Sequence, residues 1–244
     1  MGVKFVREAG YFKTLIFFMT RLSIIIPVYN EKETIIPLLN KLRALSIPEV
    51  EKEIIIVDDN STDGTRDLLL SLNDGSKVLF HQTNAGKGAA IHTGLQSATG
   101  TYTVIQDADL EYDPEDIAVL MEVALGKNIP VVYGSRNIKT ARRGYFFYYL
   151  GGRFLSGLFN LLYGTKLTDI NTCYKLFQTE LLNSLDLKEK RFTFCEEVTA
   201  KISLRKIQIE EVPIRYAPRT FAEGKKIRFK DGLRATYAII RYRW

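Results

Sequence analysis

The sequence predicts a single α/β domain in which a mostly parallel sheet is flanked by helices. Apolar runs typical of buried strands alternate with stretches of helical periodicity along the first half of the chain. A polar cluster follows each of four such runs, as expected where parallel strands end at a ligand crevice. The length of 244 residues suits one well-buried core, and the sequence has no linker-like stretch or internal repeat.

The first half is predicted to consist of four strand and helix units. Each strand is a short apolar run, and each helix carries apolar residues three or four positions apart. In order, the strand and helix pairs are 22–27 with 34–45, 53–57 with 65–72, 77–81 with 88–98, and 101–106 with 114–125. Because the polar clusters follow the strands, one crevice would collect all four. They are 27–31, 58–61, 84–88 and 107–109.

The second half is less regular but is predicted to continue the same sheet. Its elements are a strand at 131–134, an apolar helix at 145–163, a return to the sheet around 173–177, a helix at 196–205, a strand at 208–213 and a terminal helix from about Asp231. We therefore expect this half to be built onto the first.

The first 19 residues are apolar and basic but too short to cross a bilayer. Lys13 interrupts the apolar run and no small-residue cleavage site follows it, which argues against a secretory signal. Two interpretations stay open: a membrane-surface anchor, or an extension upstream of a natural start at Met19. The anchoring side chains would be Tyr11, Phe12, Leu15, Ile16, Phe17 and Phe18.

The net charge of +6 is unevenly distributed, since residues 215–244 hold nine Lys or Arg and only two acids. An anionic partner is expected there, either phosphates on a small molecule or an acidic membrane surface. No recognisable nucleic-acid module is present, so no nucleic-acid partner is expected. Cys173 and Cys195 lack CxxC spacing and are distant in sequence from His81 and His92, so neither a disulfide framework nor a zinc site is expected.

Asp107 and Asp109 directly follow an apolar strand, whereas Asp113 next to Pro114 resembles an N-cap. Two carboxylates beside a strand end repel each other unless a cation lies between them. Oxygen ligands of this kind favour Mg²⁺ or Mn²⁺, which bind through one or two carboxylates together with substrate phosphates. Glu111 could add a ligand or touch the sugar. The alternative is a pair of solvated loop acids.

Gly86, Lys87 and Gly88 open a predicted helix and could bind phosphate through backbone NH groups. The segment fails the P-loop pattern, because His81 stands at the first glycine position and Gly88 at the Ser or Thr position. It fails GxGxxG as well, because Ile91 replaces the last glycine. A helix-entry turn and a ligand loop are both compatible with this sequence.

Seven segments together carry a resemblance to a known family. They are IIIPVYNE (24–31), VDDNSTDGT (57–65), NAGKGAA (84–90), QDADLEYDPE (106–115), GSR (134–136), TCYKLF (172–177) and RTFAEGKKIRFKDGLRA (219–235). The chain resembles family-two glycosyltransferases, and within them the dolichyl- or polyprenyl-phosphate sugar transferases, such as the dolichol-phosphate mannosyltransferases.

The resemblance implies a GT-A fold, a single Rossmann-like domain. Residues 1–20 would be an N-terminal extension or surface anchor before a glycosyltransferase domain at 21–244. Within that domain, 21–135 would form the nucleotide-sugar half, and 136–244 the acceptor half with the basic C-terminal segment.

For the donor, the resemblance implies that Pro27, Tyr29, Glu31 and Asp58 hold the base and ribose, with Lys87 nearby. A carboxylate can accept hydrogen bonds from base NH groups. Structural roles are also compatible with these residues: Pro27 could end a strand, and Asp58 could close a turn.

Asp107 and Asp109 would hold the metal at the donor diphosphate, and Asp109 would thereby take part in catalysis. Arg219 and Lys225, with Lys226, are the candidates for stabilising the departing nucleotide diphosphate. A solvated basic tail facing a membrane is the alternative interpretation. The resemblance implies direct displacement with inversion at the anomeric carbon.

The acceptor is predicted from residues 137–168, which contain no acid but include eight Tyr or Phe side chains. This composition fits an anionic headgroup on a lipid tail. Arg136, with Arg143 or Arg153, would bind the acceptor phosphate. Such a phosphate is already largely ionised at neutral pH and needs no general base. An aromatic core helix with solvated arginines is the simpler alternative.

Glu196 and Glu197 support a second interpretation, transfer to a glycan or another hydroxyl acceptor with one of them as base. They could equally begin a helix, where acids are favoured by the helix dipole. A non-catalytic donor-binding or membrane-scaffold protein is a third class, against which the intact Asp107 and Asp109 pair argues. The first strand also lacks the glycine-rich activating loop of nucleotidyltransferases.

The leading prediction is therefore inverting hexose transfer from a GDP-mannose- or UDP-glucose-type donor to a polyprenyl or dolichyl phosphate, with Mg²⁺ or Mn²⁺ as cofactor. The expected partners are the nucleotide sugar, the lipid phosphate and a membrane surface, with a membrane protein as a further means of attachment. The expected location is cytoplasmic, peripheral on the cytoplasmic face of a membrane.

Overall fold

A computed structural model describes residues 2–8, 11–17, 19–138, 146–219 and 229–244, with side chains described for 19–138, 149–219 and 230–244. Its strands are β1 (Gly2–Glu8), β2 (Tyr11–Phe17), β3 (Thr20–Val28), β4 (Val50–Asp58), β5 (Lys77–Phe80), β6 (Tyr102–Ile105), β7 (Val131–Ser135), β8 (Lys175–Gln178) and β9 (Glu210–Pro213). Its helices are α1 (Ile35–Ala44), α2 (Thr65–Leu70), α3 (Lys87–Leu95), α4 (Asp116–Lys127), α5 (Phe146–Tyr163), α6 (Thr179–Asn183), α7 (Phe194–Leu204) and α8 (Phe229–Arg241).

Seven strands form the central sheet in the order β5-β4-β3-β6-β8-β7-β9. The pairs β3 with β4, β3 with β6, β4 with β5 and β7 with β9 are parallel, whereas β8 is antiparallel to both of its neighbours. The chain runs outward from β3 to β5 and then returns to the other side of β3 as β6. This reversal opens a crevice at the carboxyl ends of β3 and β6. The predicted fold class is confirmed.

The core lies on both faces of β3, because successive side chains of a strand point to opposite faces. Ile24 and Ile26 pack in the cluster that includes helices α1 and α4, whereas Ile25 packs with Ile91 of α3. All three isoleucines are fully buried. A Cβ at Gly94 of α3 would lie 2.5 Å from Cγ2 of Ile25, so a glycine lets this helix sit close to the sheet. This packing fixes the loops that follow β3 and β6.

A third cluster joins α5, α7 and α8, and includes Leu155, Phe159, Ala200 and Ile239. It packs these three helices of the second half of the chain against one another. Among the helices of the described residues, none is both long enough and apolar enough to cross a bilayer.

Several boundaries differ from the predicted ones. No strands were predicted in the first 19 residues, where β1 and β2 pair antiparallel, and the short helix α6 was also not expected. The fourth helix begins at Asp116 rather than at Pro114. Asp113 still accepts a hydrogen bond from the backbone NH of Glu115, 3.2 Å away, so it supports the turn that leads into α4.

Candidate active site

The carboxyl ends of β3, β4 and β6 hold the polar residues singled out by the sequence. Backbone hydrogen bonds tie these ends together, from Asp59 NH to the Val28 carbonyl (2.8 Å) and from Gln106 NH to the Ile25 carbonyl (2.9 Å). Pro27 pairs with Val57 inside the sheet, and Tyr29 follows directly with a partly exposed side chain. These polar residues thus meet at one edge of the sheet.

Arg219 is the centre of an acidic cluster at that edge. Its Nη1 and Nη2 donate to Oε2 and Oε1 of Glu31 at 3.0 and 3.1 Å, and Nη2 also donates to Oδ2 of Asp109 at 3.2 Å. Its backbone NH donates to Oε1 of Glu111 at 2.8 Å. One guanidinium therefore joins the loop after β3 to the loop after β6.

The acids of this cluster repel one another. Burial, and then the charges of Asp107 and Glu111, raise the pKa of Asp109 to about 7, although Arg219 opposes the rise. Burial alone would also raise the pKa of Asp107, but Lys87 beside it holds that pKa below its ordinary value. The site therefore has an excess of negative charge that a further cation would relieve.

Both carboxylate oxygens of Glu111 accept hydrogen bonds from the segment at 216–219. Oε2 accepts from the Tyr216 hydroxyl at 2.7 Å, and Oε1 accepts from Arg219 NH. Within the described ranges, no three His, Cys, Asp or Glu side chains are grouped closely enough to hold a metal ion alone. The three predicted ligands therefore do not form a closed cage, and substrate oxygens would have to complete any coordination shell.

Lys87 connects this edge to the second half of the chain. Its Nζ forms an ion pair with Oδ1 of Asp107 and donates to Sγ of Cys173 at 3.0 Å. Cys173 and Cys195 are free thiols, and the neighbouring Cys173 holds the pKa of Cys195 below its ordinary value. Lys87 was expected near the donor, and the structure places it against Asp107.

The glycines around Lys87 have a packing role. A Cβ at Gly86 would lie 2.5 Å from the Lys190 carbonyl oxygen, and one at Gly88 would overlap the Glu189 carbonyl oxygen. The nearby NH groups also have protein partners: Ala89 NH donates to Lys190 at 3.0 Å, and Gly86 NH donates to Asp59. The idea that this helix start binds phosphate through its backbone is therefore not supported, because the 188–191 segment covers it.

Asp58 is fully buried and paired within the protein. Its Oδ2 accepts from Nε of Arg66 at 2.8 Å, and Oδ1 accepts from Ser61 NH at 3.2 Å. Arg66 also donates to the His81 carbonyl at 2.6 Å. The carboxylate thus holds the loop after β4, in agreement with the turn-closing alternative. A nucleobase that binds to Asp58 would have to approach the carboxylate beside Arg66.

Arg136 forms an ion pair with Asp169, a residue that sequence reasoning missed. Its Nε and Nη2 donate to Oδ2 and Oδ1 of Asp169 at 2.7 and 2.8 Å, and its guanidinium stacks on the Tyr216 ring. Burial and Asp169 have opposite effects on the guanidinium, and the ion pair keeps the pKa of Arg136 above its ordinary value. No local motif marks Asp169, because its partner lies 33 positions earlier.

A cavity of about 1100 Å³ adjoins these residues. Lys87, Arg136 and Tyr216 line its polar side, and α5 and α8 contribute apolar residues such as Phe154 and Leu233. The Arg153 side chain is exposed and is not part of this lining. Its place at the acceptor phosphate, as the alternative to Arg143, stays a prediction. The predicted residues Arg143, Lys225 and Lys226 lie outside the described residues.

Glu196 and Glu197 both lie in the first turn of α7, as the dipole argument predicted, but their surroundings differ. Glu197 accepts from the backbone NH of Lys188 (2.8 Å) and Glu189 (2.7 Å) and from Lys201 Nζ (2.7 Å), so it anchors the loop before α7. Glu196 lines the cavity, and burial raises its pKa to about 8. Of the two candidate bases, only Glu196 is among the residues that line the cavity.

Residues 23–185, more than half of the chain, match the model of glycosyl transferase family 2. The undecaprenyl-phosphate 4-deoxy-4-formamido-L-arabinose transferase of Edwardsiella ictaluri is 28% identical over 219 residues, which are 88% of this chain and 64% of that protein. The transferase of the same description from Sodalis glossinidius is 27% identical over 210 residues, 84% of this chain and 62% of that protein. The chain thus spans less than two thirds of the length of these relatives.

Among solved structures, glucosyl-3-phosphoglycerate synthase from Mycobacterium tuberculosis, in complex with Mn²⁺, UDP and phosphoglyceric acid, superposes with a TM-score of 0.71 at 19% identity, covering 92% of this chain and 78% of that one. S. aureus TarS 1–349, in complex with UDP-GlcNAc, gives a TM-score of 0.61 at 19% identity, covering 91% and 66%. These similarities show the GT-A fold. With the matched family model, they establish that the chain belongs to glycosyl transferase family 2.

Proposed function

We propose that this protein transfers a hexose, with inversion, from a nucleotide-diphosphate sugar to a polyprenyl phosphate. One observation carries the proposal: Lys87 is paired with Asp107 at the donor edge of the sheet and also lines the large, mainly apolar cavity. Charge for a diphosphate and apolar space for a lipid are thus adjacent. The relatives' descriptions name undecaprenyl phosphate, which supports the acceptor class.

Asp107 and Asp109, with Glu111 nearby, are the proposed holders of Mg²⁺ or Mn²⁺. The mutual repulsion that raises the pKa of Asp109 fits a site for a divalent cation. Two carboxylates with diphosphate oxygens form a donor set typical of Mg²⁺. When bound, the metal supplies Lewis-acid stabilisation of the leaving diphosphate.

The protein's own cations act on the same charge. Arg219 lies against Asp109 and Lys87 against Asp107, so both cations border the position proposed for the diphosphate. Such preorganised charges stabilise a leaving anion without further rearrangement. Pro27, Tyr29 and Glu31 are the proposed contacts of the nucleoside, and Asp58 shapes their loop through Arg66. Lys225 remains a proposed donor contact.

Arg136 is the proposed contact of the acceptor phosphate, held at the cavity wall by Asp169. A phosphate monoester is largely ionised at neutral pH, because its second pKa is about 6. It can attack the anomeric carbon without first giving up a proton to the protein. The neighbouring Arg143 is a proposed second contact.

A membrane surface is the proposed source of the acceptor. Large apolar side chains are exposed on α5 and α8 and at the C-terminus, including Phe154, Leu161, Leu233, Tyr237 and Trp244. Arg234 and Arg241 on α8 add positive charge beside them. Apolar and aromatic residues with cations on one surface favour binding to anionic lipid. The cytoplasmic face of the membrane is the proposed location.

The test is a transfer assay with purified protein, undecaprenyl phosphate in detergent micelles, and UDP-, GDP- and dTDP-hexoses with Mn²⁺ or Mg²⁺. We expect one donor class to yield a lipid-linked sugar, and removal of the metal by EDTA to abolish the product. Asp107→Asn should behave like the EDTA sample, whereas Glu122→Gln, an exposed acid on α4, should not. Formation of product by the EDTA sample would contradict the metal role.

Transfer to a hydroxyl is the second candidate function, favoured by the buried carboxyl of Glu196 in the cavity wall. A hydroxyl acceptor needs a base, and a pKa of about 8 makes Glu196 a strong one once it is ionised. Replacing undecaprenyl phosphate by undecaprenol and by free glycans in the same assay separates the two functions. Product from hydroxyl acceptors alone would overturn the phosphate proposal.

A further inference from the structure

Glu196 and Asn171 form a side-chain pair in the cavity wall. Nδ2 of Asn171 donates to Oε1 of Glu196. The other two oxygens of the pair, Oε2 of Glu196 and Oδ1 of Asn171, are buried and have no hydrogen-bond partner among the described residues. Two buried acceptors beside each other would be costly, since each unsatisfied polar group costs about 1–3 kcal/mol.

One proton satisfies both atoms. A neutral carboxylic acid donates through its hydroxyl, so Oε2 of a protonated Glu196 can bond to Oδ1 of Asn171 while Nδ2 bonds to Oε1. The surroundings favour this form, because Glu196 is only 2% exposed and its pKa is raised to about 8. Burial is the main cause and Cys195 on the same helix adds to it, whereas the backbone NH of Glu196, Lys175 on β8 and the Asn171 amide oppose it. Lys87 and Arg136 also line the cavity.

The pair leaves one donor for a ligand. An Asn amide has two hydrogens, and only one is used by Glu196 within the part of the chain that the structure describes. Asn171 is half-buried and lines the cavity, so its second hydrogen is available to a molecule bound there. Because the pair is neutral, it suits an uncharged oxygen such as a sugar hydroxyl better than a phosphate.

The position of the pair points to the sugar. Asn171 lies two residues before Cys173, whose Sγ accepts from the Lys87 that pairs with Asp107. Sγ of Cys195, next to Glu196, lies 3.6 Å from the Thr172 carbonyl oxygen, so α7 adjoins the same segment. The pair thus borders the space between the proposed diphosphate position and the apolar part of the cavity.

We propose that Asn171 is a specificity residue that donates a hydrogen bond to a hydroxyl oxygen of the transferred sugar, and that Glu196, as a neutral acid, is the positioning residue that locks its amide. The proposal rests on the proposed function, because it requires a nucleotide sugar in the donor site. It assigns Glu196 a role opposite to that of a general base, since the working form keeps its proton.

The experiment measures how much the sugar adds to donor affinity. The best-bound donor of the UDP-, GDP- and dTDP-hexose panel, and the matching free nucleoside diphosphate, are titrated by calorimetry with Mn²⁺ into wild-type protein and into Asn171→Leu, Glu196→Met, Glu196→Gln and the exposed control Glu122→Gln. We expect Asn171→Leu and Glu196→Met to lower the affinity for the sugar nucleotide about tenfold, as for one lost hydrogen bond, with the diphosphate unaffected. Glu196→Gln should rescue the loss, because an amide also bonds to Asn171 through two hydrogen bonds.

The pH profile separates this role from simple packing. Between pH 7 and 9, the preference of wild type for the sugar nucleotide over the diphosphate should fall, whereas that of Glu196→Gln should stay level. An unchanged preference in Glu196→Met would overturn the proposal. So would loss of turnover in Glu196→Gln with unchanged donor affinity, which would make Glu196 a base.

A measurement without ligand keeps the two proposals distinguishable. Infrared difference spectra of wild type minus Glu196→Gln at pH 7 should contain the carbonyl band of a protonated carboxylic acid. Absence of that band would overturn the acid–amide pair. If the band is present but no panel member binds wild type, the proposed donor class fails and the assignment of Asn171 to a sugar hydroxyl fails with it.

Discussion

Arg219 donates to both carboxylate oxygens of Glu31, which lies 188 positions earlier in the chain. Two-bond pairing of this kind is specific to the planar guanidinium. Since Arg219 also reaches Asp109, the contact unites the proposed nucleoside and diphosphate parts of the site.

Replacing Arg219 should therefore impair catalysis strongly. We expect Arg219→Gln to lower kcat/KM by about 100-fold or more, because a preorganised positive charge beside the leaving group is lost. Arg219→Lys should retain a higher kcat/KM than Arg219→Gln but a lower one than wild type, since an ammonium cannot bond to both oxygens of Glu31 in the same way. Steady-state kinetics give the values. The exposed Arg205→Gln is the control, and equal losses in both variants would contradict the assignment.

The acid pair should control metal binding. In Asp107→Asn or Asp109→Asn, we expect the affinity for Mn²⁺ in the presence of nucleoside diphosphate to fall at least tenfold, because one of two carboxylate ligands is lost. Electron paramagnetic resonance of free Mn²⁺ measures this directly. The Glu122→Gln protein should bind as wild type does. An unchanged affinity in both Asp variants would remove these residues from the metal site.

The Arg136 and Asp169 pair should be important for stability. Asp169 is 2% exposed, and Asp169→Asn would leave the largely buried guanidinium without its counterion. Breaking such a pair costs about 3–5 kcal/mol of unfolding free energy. Urea unfolding compares the variant with Asp186→Asn, whose ion pair with Lys188 is largely exposed and whose loss should change stability by less than about 0.5 kcal/mol.

Replacing two helical glycines, Gly88 and Gly126, by alanine should change the stability of the protein in opposite directions. Gly88→Ala should destabilise the protein and displace the 188–191 segment, because the new Cβ would overlap the Glu189 carbonyl oxygen. Gly126→Ala in α4 has open space around it and should gain up to about 1 kcal/mol from helix propensity. The unfolding temperature of each variant measures the change in stability. An unchanged unfolding temperature in Gly88→Ala would contradict the packing role of Gly88.

The buried acid Glu196 should make stability depend on pH. Its pKa is about 8 in the folded protein but near 4.5 when unfolded, so the unfolded chain releases the proton first as pH rises. The stabilisation from the neutral form is complete below about pH 4.5 and is lost as pH rises to about 8. Relative to Glu196→Gln, wild type should lose roughly 3–6 kcal/mol across this window in urea unfolding, because each unit of pKa difference between the folded and unfolded states contributes about 1.4 kcal/mol. If the unfolding free energies of the two proteins changed with pH in parallel, the raised pKa of Glu196 would be contradicted.

Much of the fold could be predicted from the sequence because local patterns carry it. Alternation of apolar runs and helical periodicity predicted β3 to β6 and the helices between them. The short helix α6 has too few residues for a periodic signal, and the apolar content of the first 19 residues does not indicate which residues pair between two strands. Asp169 and Asn171 could not be singled out, because nothing near them in sequence indicates their partners.

Local patterns in the amino-acid sequence thus predict the order of elements from β3 to α4, the polar clusters at the strand ends and the pair of acids that follows β6. Which of these groups meet depends on the packing of distant segments, since hydrophobic periodicity is a local property and ion pairs and buried hydrogen bonds are not. Packing brings Arg219 to Glu31 and Lys87 to Asp107, engages Glu197 with the loop before α7, and leaves Glu196 in the cavity wall.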